Sequence, residues 1–447
     1  MKMLIYQQQD FYENGLVVLA ICCIGSFFFG SREAILQGRR ISEKLTQSIL
    51  SSWISSVGEP HFKALPLIQA ALIGQTYGLL SGRPRDLAVV SSFHSTVISW
   101  AKQYNFFNSP PAAARNLSLD PADIDTEWGA WIPTEEENRI AVALHLHDFE
   151  LARLFVIAPT LHDASWSIPC LAPSSLWEAP SAIEWLQAMQ AHVGSSLSRD
   201  GASSSPISLS AWSQLGRSDP INVAIRLEHI SFVIIDNQRM GPSAQINQYI
   251  EESLLTTFTE QLRDQRPDPL SIRPLWHSTY ILLFADIRRL EIVVGKNGSS
   301  KISDHLEYAT NWAAAVDSQR AVLHGALLLR YLEPMPIRST FSIHVPSSLY
   351  HAALVWYCYL VFCPQSRFFY KYHPDSFPEL AGLGADLREL NNEIHEYKNC
   401  RPTPSESTVL LGLIDMLRRA GYWGISRSLA SLLTLLVKGS TSGEESI

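Results

Sequence analysis

Cysteine is scarce. Six thiols in 447 residues, at Cys22, Cys23, Cys170, Cys358, Cys363 and Cys400, are too few and too scattered for a disulfide framework, and none stands at zinc-finger or zinc-cluster spacing. A reducing, intracellular compartment fits this usage. There is no run rich in lysine and arginine, and 35 basic residues face 43 acidic ones for a net charge of −8. The chain therefore lacks the electrostatic footprint that phosphate backbones select, and direct nucleic-acid binding is not expected of it. Catalytic signatures are missing too. The sequence has no G-x-S-x-G elbow, no P-loop and no complete G-x-G-x-x-G, since "GLGADL" at Gly382 to Leu387 lacks the third glycine and a preceding strand. The aspartate-rich D-D-x-x-D of helical synthases does not occur. Strict alternation beyond four residues is almost lacking, with "AIRLEHISFVII" (224 to 235) the ambiguous stretch.

What fills the chain is apolar residues at three- and four-residue spacing, within a composition that is 46% hydrophobic. Segments such as "QINQYIEESLLTTFTEQLRD", "WHSTYILLFADIRRLEIVV" and "SSLYHAALVWYCYLVF" read as helices, and the expected fold is all-α, a compact multi-helix domain with long Pro/Ser-rich loops. Cys358, within the last of these, and Cys363, directly after it, read as small core hydrophobes. "LVVLAICCIGSFFFG" (16 to 30) is too short to span a bilayer comfortably and has Asp10 and Glu13 before it rather than a basic region; it reads as a buried helix, and no membrane contact is expected. Proline, glycine and serine break the pattern at 106 to 128, 157 to 181 and 194 to 212. The expected organisation is one domain over 1–437, with an internal linker at 192–220 and a disordered tail over 438–447.

"WGAWIPTEEENRIAVALHLHDFELARLF" (128 to 155) places two histidines and an aspartate in an apolar run. Thr134 and Glu137 have the spacing of a capping box, and Glu135 and Glu136 add negative charge at the positive end of a helix dipole, so a helix is expected to start there. Beyond it, apolar residues point to several sides, which predicts burial. His145 and His147 are two apart and diverge by about 200° on a helix, so they cannot share one metal ion. His145 with Asp148, and His147 with Glu150, read as ordinary hydrogen-bonded pairs. No catalytic, cofactor-binding or metal-ligating residue is assigned. Most of the twelve tryptophans read as core, with a few available to line a ligand cavity.

Residues 127 to 185 together resemble the fungal-specific transcription factor domain, the middle regulatory region of fungal zinc-finger and zinc-cluster regulators. The likeness rests on Trp128 and Trp131, then Glu135 to Arg139, then Asp148. It continues through Pro159, Ile168 and Pro169 to Leu176, Trp177, Glu178, Ala179 and Trp185. Flanking segments extend it from about Tyr12 to about Leu436, closest to the subgroup with paired two-cysteine, two-histidine fingers. Asn138 before Arg139 departs from the adjacent arginines often found there.

The resemblance implies an all-helical regulatory domain of a nuclear regulator of RNA polymerase II transcription, plausible for a secondary-metabolite gene cluster. It implies protein partners in the transcription machinery or a dimer partner, a groove that accepts a small-molecule effector, and no enzymatic activity. The finger module that precedes the domain in the family is expected to be missing, so zinc is not expected in this chain, and DNA would be reached only through a partner or such a module. Two rival readings are a standalone co-regulator and an all-helical enzyme using His145, Asp148 or His277.

Overall fold

A computed structural model describes residues 14–56, 61–107, 123–155, 157–161, 168–200, 219–262, 268, 270–296, 302–336, 339, 341–364, 377–381, 383, 402–420 and 422–442. Every regular element among them is a helix, as the spacing predicts. The chain forms two compact units. Unit 1 comprises Met1–Leu79, Pro84–Asp148 and Pro159–Ile225, and unit 2 comprises Leu80–Arg83, Phe149–Ala158 and Arg226–Ile447.

Unit 1 is built on α1 (Gly15–Phe29), α2 (Arg32–Ser56), α3 (His61–Ser81), α4 (Pro84–Gln103) and α5 (Ile124–Phe155), followed by the single turn α6 (Ser174–Trp177) and α7 (Ala182–Asp200). Gly30, at φ 65°, ends α1, and Ser31 Oγ accepts from the Ala34 amide to start α2. Rings then join the elements: Phe27 stacks on Tyr77 at 4.8 Å and Trp53 on Trp100 at 3.9 Å. The apolar stretch at 16 to 30 is a helix, but only one face is buried. Val17, Ala20, Cys23 and Phe27 face inward, while Leu19, Ile21, Phe28 and Phe29 are exposed, Phe29 by 83%.

Two other expectations change, and one ambiguous stretch takes a definite form. The helix expected to start at Thr134 starts at Ile124 and runs through Pro133. Pro133 and Gly129 lie on the exposed side, where water can serve the carbonyl that proline leaves without a donor. The inner side carries Trp131 and Ile124 into a cluster with Leu176, Trp185 and Met189. That burial outweighs the local capping signal. In the stretch from 194 to 212, α7 continues to Asp200, and the remainder lies outside the described residues. The ambiguous stretch at 224 to 235 is helical, within α8 (Pro220–Met240).

Unit 2 takes the last turns of α5, most of α8, and α9 (Ala244–Thr257) with a π-helical extension at Phe258–Leu262. Next come α10 (Ile272–Phe284), α11 (Ile287–Val293), α12 (Ile302–Ala313) and α13 (Val316–Leu332). α14 (Val345–Phe362), the short α15 (Pro378–Ala381), α16 (Thr408–Arg419) and α17 (Gly424–Ser442) complete it. α17 thus covers the start of the expected tail. By length and composition α14 could cross a membrane, yet 83% of it is buried within the fold. It is the core helix, packed by α10, α11, α12, α13, α16 and α17, and Cys358, toward its C-terminal end, is 0% exposed. Buried indoles donate to carbonyls of neighbouring helices: Trp356 to Val322 at 2.8 Å, Trp312 to Phe284 at 2.7 Å and Trp276 to Leu254 at 3.0 Å. These satisfy the one polar atom each ring carries.

Within unit 2, the backbone at Gly82 (φ +67°) meets the start of α17 so closely that a Cβ would lie 2.3 Å from Ile425 N. Ser428 Oγ also donates to Gly82 O at 3.1 Å. Gly82→Ala is expected to cost about 2 kcal/mol or more, from left-handed strain plus backbone collision. Gly129→Ala, where nothing lies within 4 Å, should stabilise by up to about 1 kcal/mol. Urea midpoints of the two variants should therefore move in opposite directions.

Candidate functional site

The polar residues of α5 gather into two sites in unit 1 and one in unit 2. The first is a brace. Glu135, 0% exposed, accepts the Ala172 amide at 3.1 Å and Arg139 Nε at 2.9 Å. Arg139 also donates to Ala172 O at 3.1 Å and lies over the Trp177 ring at 4.6 Å. Trp131 contacts Trp177 and Trp185, with centroids 6.4 and 5.5 Å away. Asn222 exchanges two hydrogen bonds with Leu171, and Asp219 accepts the Ser174 amide. Burial pushes Glu135 up to about 7 against the pull of Arg139, and it lowers Arg139. The acidic triplet expected to serve only a helix start thus contributes a buried link between α5 and the segment before α6.

The second site holds the histidine-aspartate run. Asp148 accepts the Thr160 and Leu161 amides at 2.9 and 2.7 Å, and His94 Nε2 stands 3.3 Å from its Oδ1. Although desolvation opposes it, the hydrogen bonds from His94 and the two amides hold Asp148 below its usual range. Thr76 Oγ1 spends its proton on Leu72 O, so the 2.9 Å contact to His147 Nε2 requires the ring to donate. His147 Nδ1 is then an acceptor. The Gln75 side chain lies 3.5 Å from it and 3.1 Å from His94 Nδ1, and the network closes when the amide nitrogen of Gln75 faces both rings. His145 lies edge-on to Phe107 at 5.6 Å. His145 and His147 therefore take different neighbours. The expected partnerships of Asp148 with His145 and of Glu150 with His147 give way to His94, the 160–161 turn and Arg153.

In unit 2, Arg153 is 2% exposed. It donates to Glu150 at 2.8 Å and grips Glu228 with both terminal nitrogens. Ser347 Oγ donates to Glu150 at 2.8 Å. His344 Nε2 donates to Ser271 O at 2.9 Å, with its Nδ1 3.8 Å from Glu228. Burial raises Glu150 to about 7 despite the adjacent guanidinium. His277 pairs with His324 through their Nδ1 atoms at 2.9 Å, and burial lowers both, His277 to about 3. This is a neutral core pair stacked among Trp276 and Tyr280.

Next to Arg153 opens a cleft of about 180 Å³ walled by α8, α10, α11, α12 and α14. His145, Asp148 and His277, the residues an enzyme would have used, do not line it. Among the described residues no three His, Cys, Asp or Glu side chains group as metal ligands. The sequence pattern offered Glu150 only as a partner of His147 and gave Arg153 no role, although an i, i+3 charge pair inside an otherwise apolar helix is itself a signal of a buried ion pair. Glu228 and the cleft left no such local trace.

Residues 5–218 match the family model described as the fungal specific transcription factor domain. The match covers the N-terminal half, and the part of the resemblance expected between residue 218 and Leu436 lies outside it. No curated protein and no solved structure gives a match.

Arg153→Met leaves two buried carboxylates facing each other and is expected to cost about 3–5 kcal/mol in urea unfolding. Replacing Arg153, Glu150 and Glu228 together with apolar residues should recover most of that loss. The titrations also set a pH profile. Burial depresses His147, His277, His324, His344 and His351, so below 6.5 the unfolded chain binds more protons and stability falls as pH drops. Burial lowers His229 as well, and five acids work the other way: Glu135 and Glu150, raised from 4.5 to about 7, and Glu136, Glu291 and Asp317, also raised by burial; the six histidines outnumber them by one. The two sets partly cancel, so unfolding should become easier between about pH 7 and about pH 5 by less than the histidines alone would give, with Glu150→Gln steepening the decline.

Proposed function

We propose that this chain regulates RNA polymerase II transcription in the nucleus, because its residues 5–218 match the fungal specific transcription factor domain, a family of transcription regulators and not of enzymes. The observation that carries this reading is the family match. Its physical support is that the motif residues Trp131, Glu135, Arg139, Trp177 and Trp185 build one brace in unit 1. A secondary-metabolite gene cluster is the proposed setting. DNA is reached through a partner protein or a separate zinc module, since no basic, groove-reading element stands out in this sequence.

Regulation by such a domain proceeds through conformational populations. An effector that binds one state about ten-fold better than another shifts the balance by about 1.4 kcal/mol, which reverses it where the two states differ by less than that. The cleft of unit 2 is the proposed effector site, lined by polar groups that the packing leaves accessible.

The test is a reporter assay with the full chain fused to a heterologous DNA-binding domain. Severalfold activation or repression relative to that DNA-binding domain alone is expected, and Arg139→Ala should diminish it by removing the brace. A full-chain fusion that is expressed and nuclear yet leaves the reporter unchanged overturns the regulatory reading.

A further inference from the structure

The cleft of unit 2 carries more positive charge than its own residues neutralise. Arg153 is committed to Glu150 and Glu228. Arg289 is held by Asp286 at 3.2 Å and by the Tyr308 ring at 4.9 Å. Two guanidinium groups remain: Arg239, in the last turn of α8, and Arg288, on α11. Both are exposed, both line the cleft, and neither has an ion pair with a described residue.

A second observation points the same way. His351, on α14, also lines the cleft. It is 2% exposed, and its Nδ1 has no hydrogen-bond partner among the described residues. Native interiors rarely leave such an atom unsatisfied, so an occupant that reaches His351 would supply what the protein does not. Burial, with Arg153 and Lys296 adding to it, lowers His351 to about 3, which keeps the ring neutral and able to donate or accept. Ile235, Leu282, Ile287 and Ile292 give the same cleft apolar walls.

We propose that this cleft binds a small organic anion, its carboxylate or phosphate held by Arg239 and Arg288 and its apolar body laid on the isoleucine and leucine walls within reach of His351. Guanidinium groups suit either oxyanion because their paired N–H donors match its geometry. At about 180 Å³ the space fits a small acid, not a polymer. That the bound anion acts as an effector rests on the regulatory reading above; that it binds does not.

The experiment is calorimetric titration of the full chain at constant ionic strength with benzoate, with inorganic phosphate and with benzamide, the uncharged counterpart of benzoate. Benzoate should bind, and benzamide should bind at least about ten-fold more weakly. Phosphate binding in place of benzoate supports the anion site and assigns it to phosphate chemistry. Arg239→Gln combined with Arg288→Gln should weaken the bound anion about ten-fold or more while leaving the urea midpoint unchanged, since both side chains are exposed. The proposal is overturned if neither anion binds at millimolar concentration, if benzamide matches benzoate, or if the double variant binds undiminished. The reporter assay keeps the two readings apart: an active fusion without anion binding sinks only the anion site, and anion binding with a silent fusion sinks only the regulatory reading.

Discussion

A guanidinium shut away from water is the constraint around which unit 2 is arranged. The charge of Arg153 can stay buried only if carboxylates come to it, because desolvation of an unpaired cation would exceed what packing returns. One carboxylate, Glu150, arrives on the same helix a turn earlier. The other, Glu228, must be delivered by α8, and the remaining oxygen of Glu150 recruits Ser347 from the first turn of α14. Three helices are thereby fixed in register by directional bonds, which apolar packing alone does not do. The cleft borders this cluster, so the position of its walls is tied to a rigid ionic centre.

In unit 1 a similar logic acts through smaller contributions. Glu135 and Arg139 satisfy the Ala172 peptide from both ends, amide to carboxylate and carbonyl to guanidinium. Trp177 rides on the guanidinium face while Trp131 and Trp185 fill the apolar space beside it. A non-helical segment can lie buried because its backbone groups are paired by side chains. The same device recurs at the 160–161 turn, where Asp148 takes two successive amides. The residues that carry the family resemblance are, on this account, largely those that let loops pass through the interior.

Much of the fold was legible in the sequence, since helical periodicity depends on neighbours three and four residues away. The histidine-aspartate run was also readable as interior, because its setting is apolar and its spacing forbids a shared metal. Its partners were not readable. Thr76 and Gln75 lie about seventy residues before His147, and Glu228 lies 75 residues after Arg153, so no local pattern announces them. The start of α5 was misplaced for a related reason: Thr134 and Glu137 give a local capping signal, but a distant cluster around Trp185 pulls the helix back to Ile124. The N-terminal apolar stretch reads as a buried helix because composition does not reveal which face has a neighbour. Among the described residues, Leu19, Ile21 and Phe29 lie on an exposed face of it.

The meeting of Gly82 with α17 also bears on how the protein is made. Ser428 and Gly82 are 346 residues apart, so a ribosome adding about 5–20 residues per second needs on the order of tens of seconds to supply the second partner after the first has emerged. Through that interval Leu80–Arg83 and Phe149–Ala158 are already synthesised while the helices that complete unit 2 are not. Unit 2 is therefore closed only once α17 has been made, and its early segments lack that cover until then. Loss of α17 would leave the first-made residues of unit 2 without the surface they close against, so damage beyond residue 424 would be felt near residue 80.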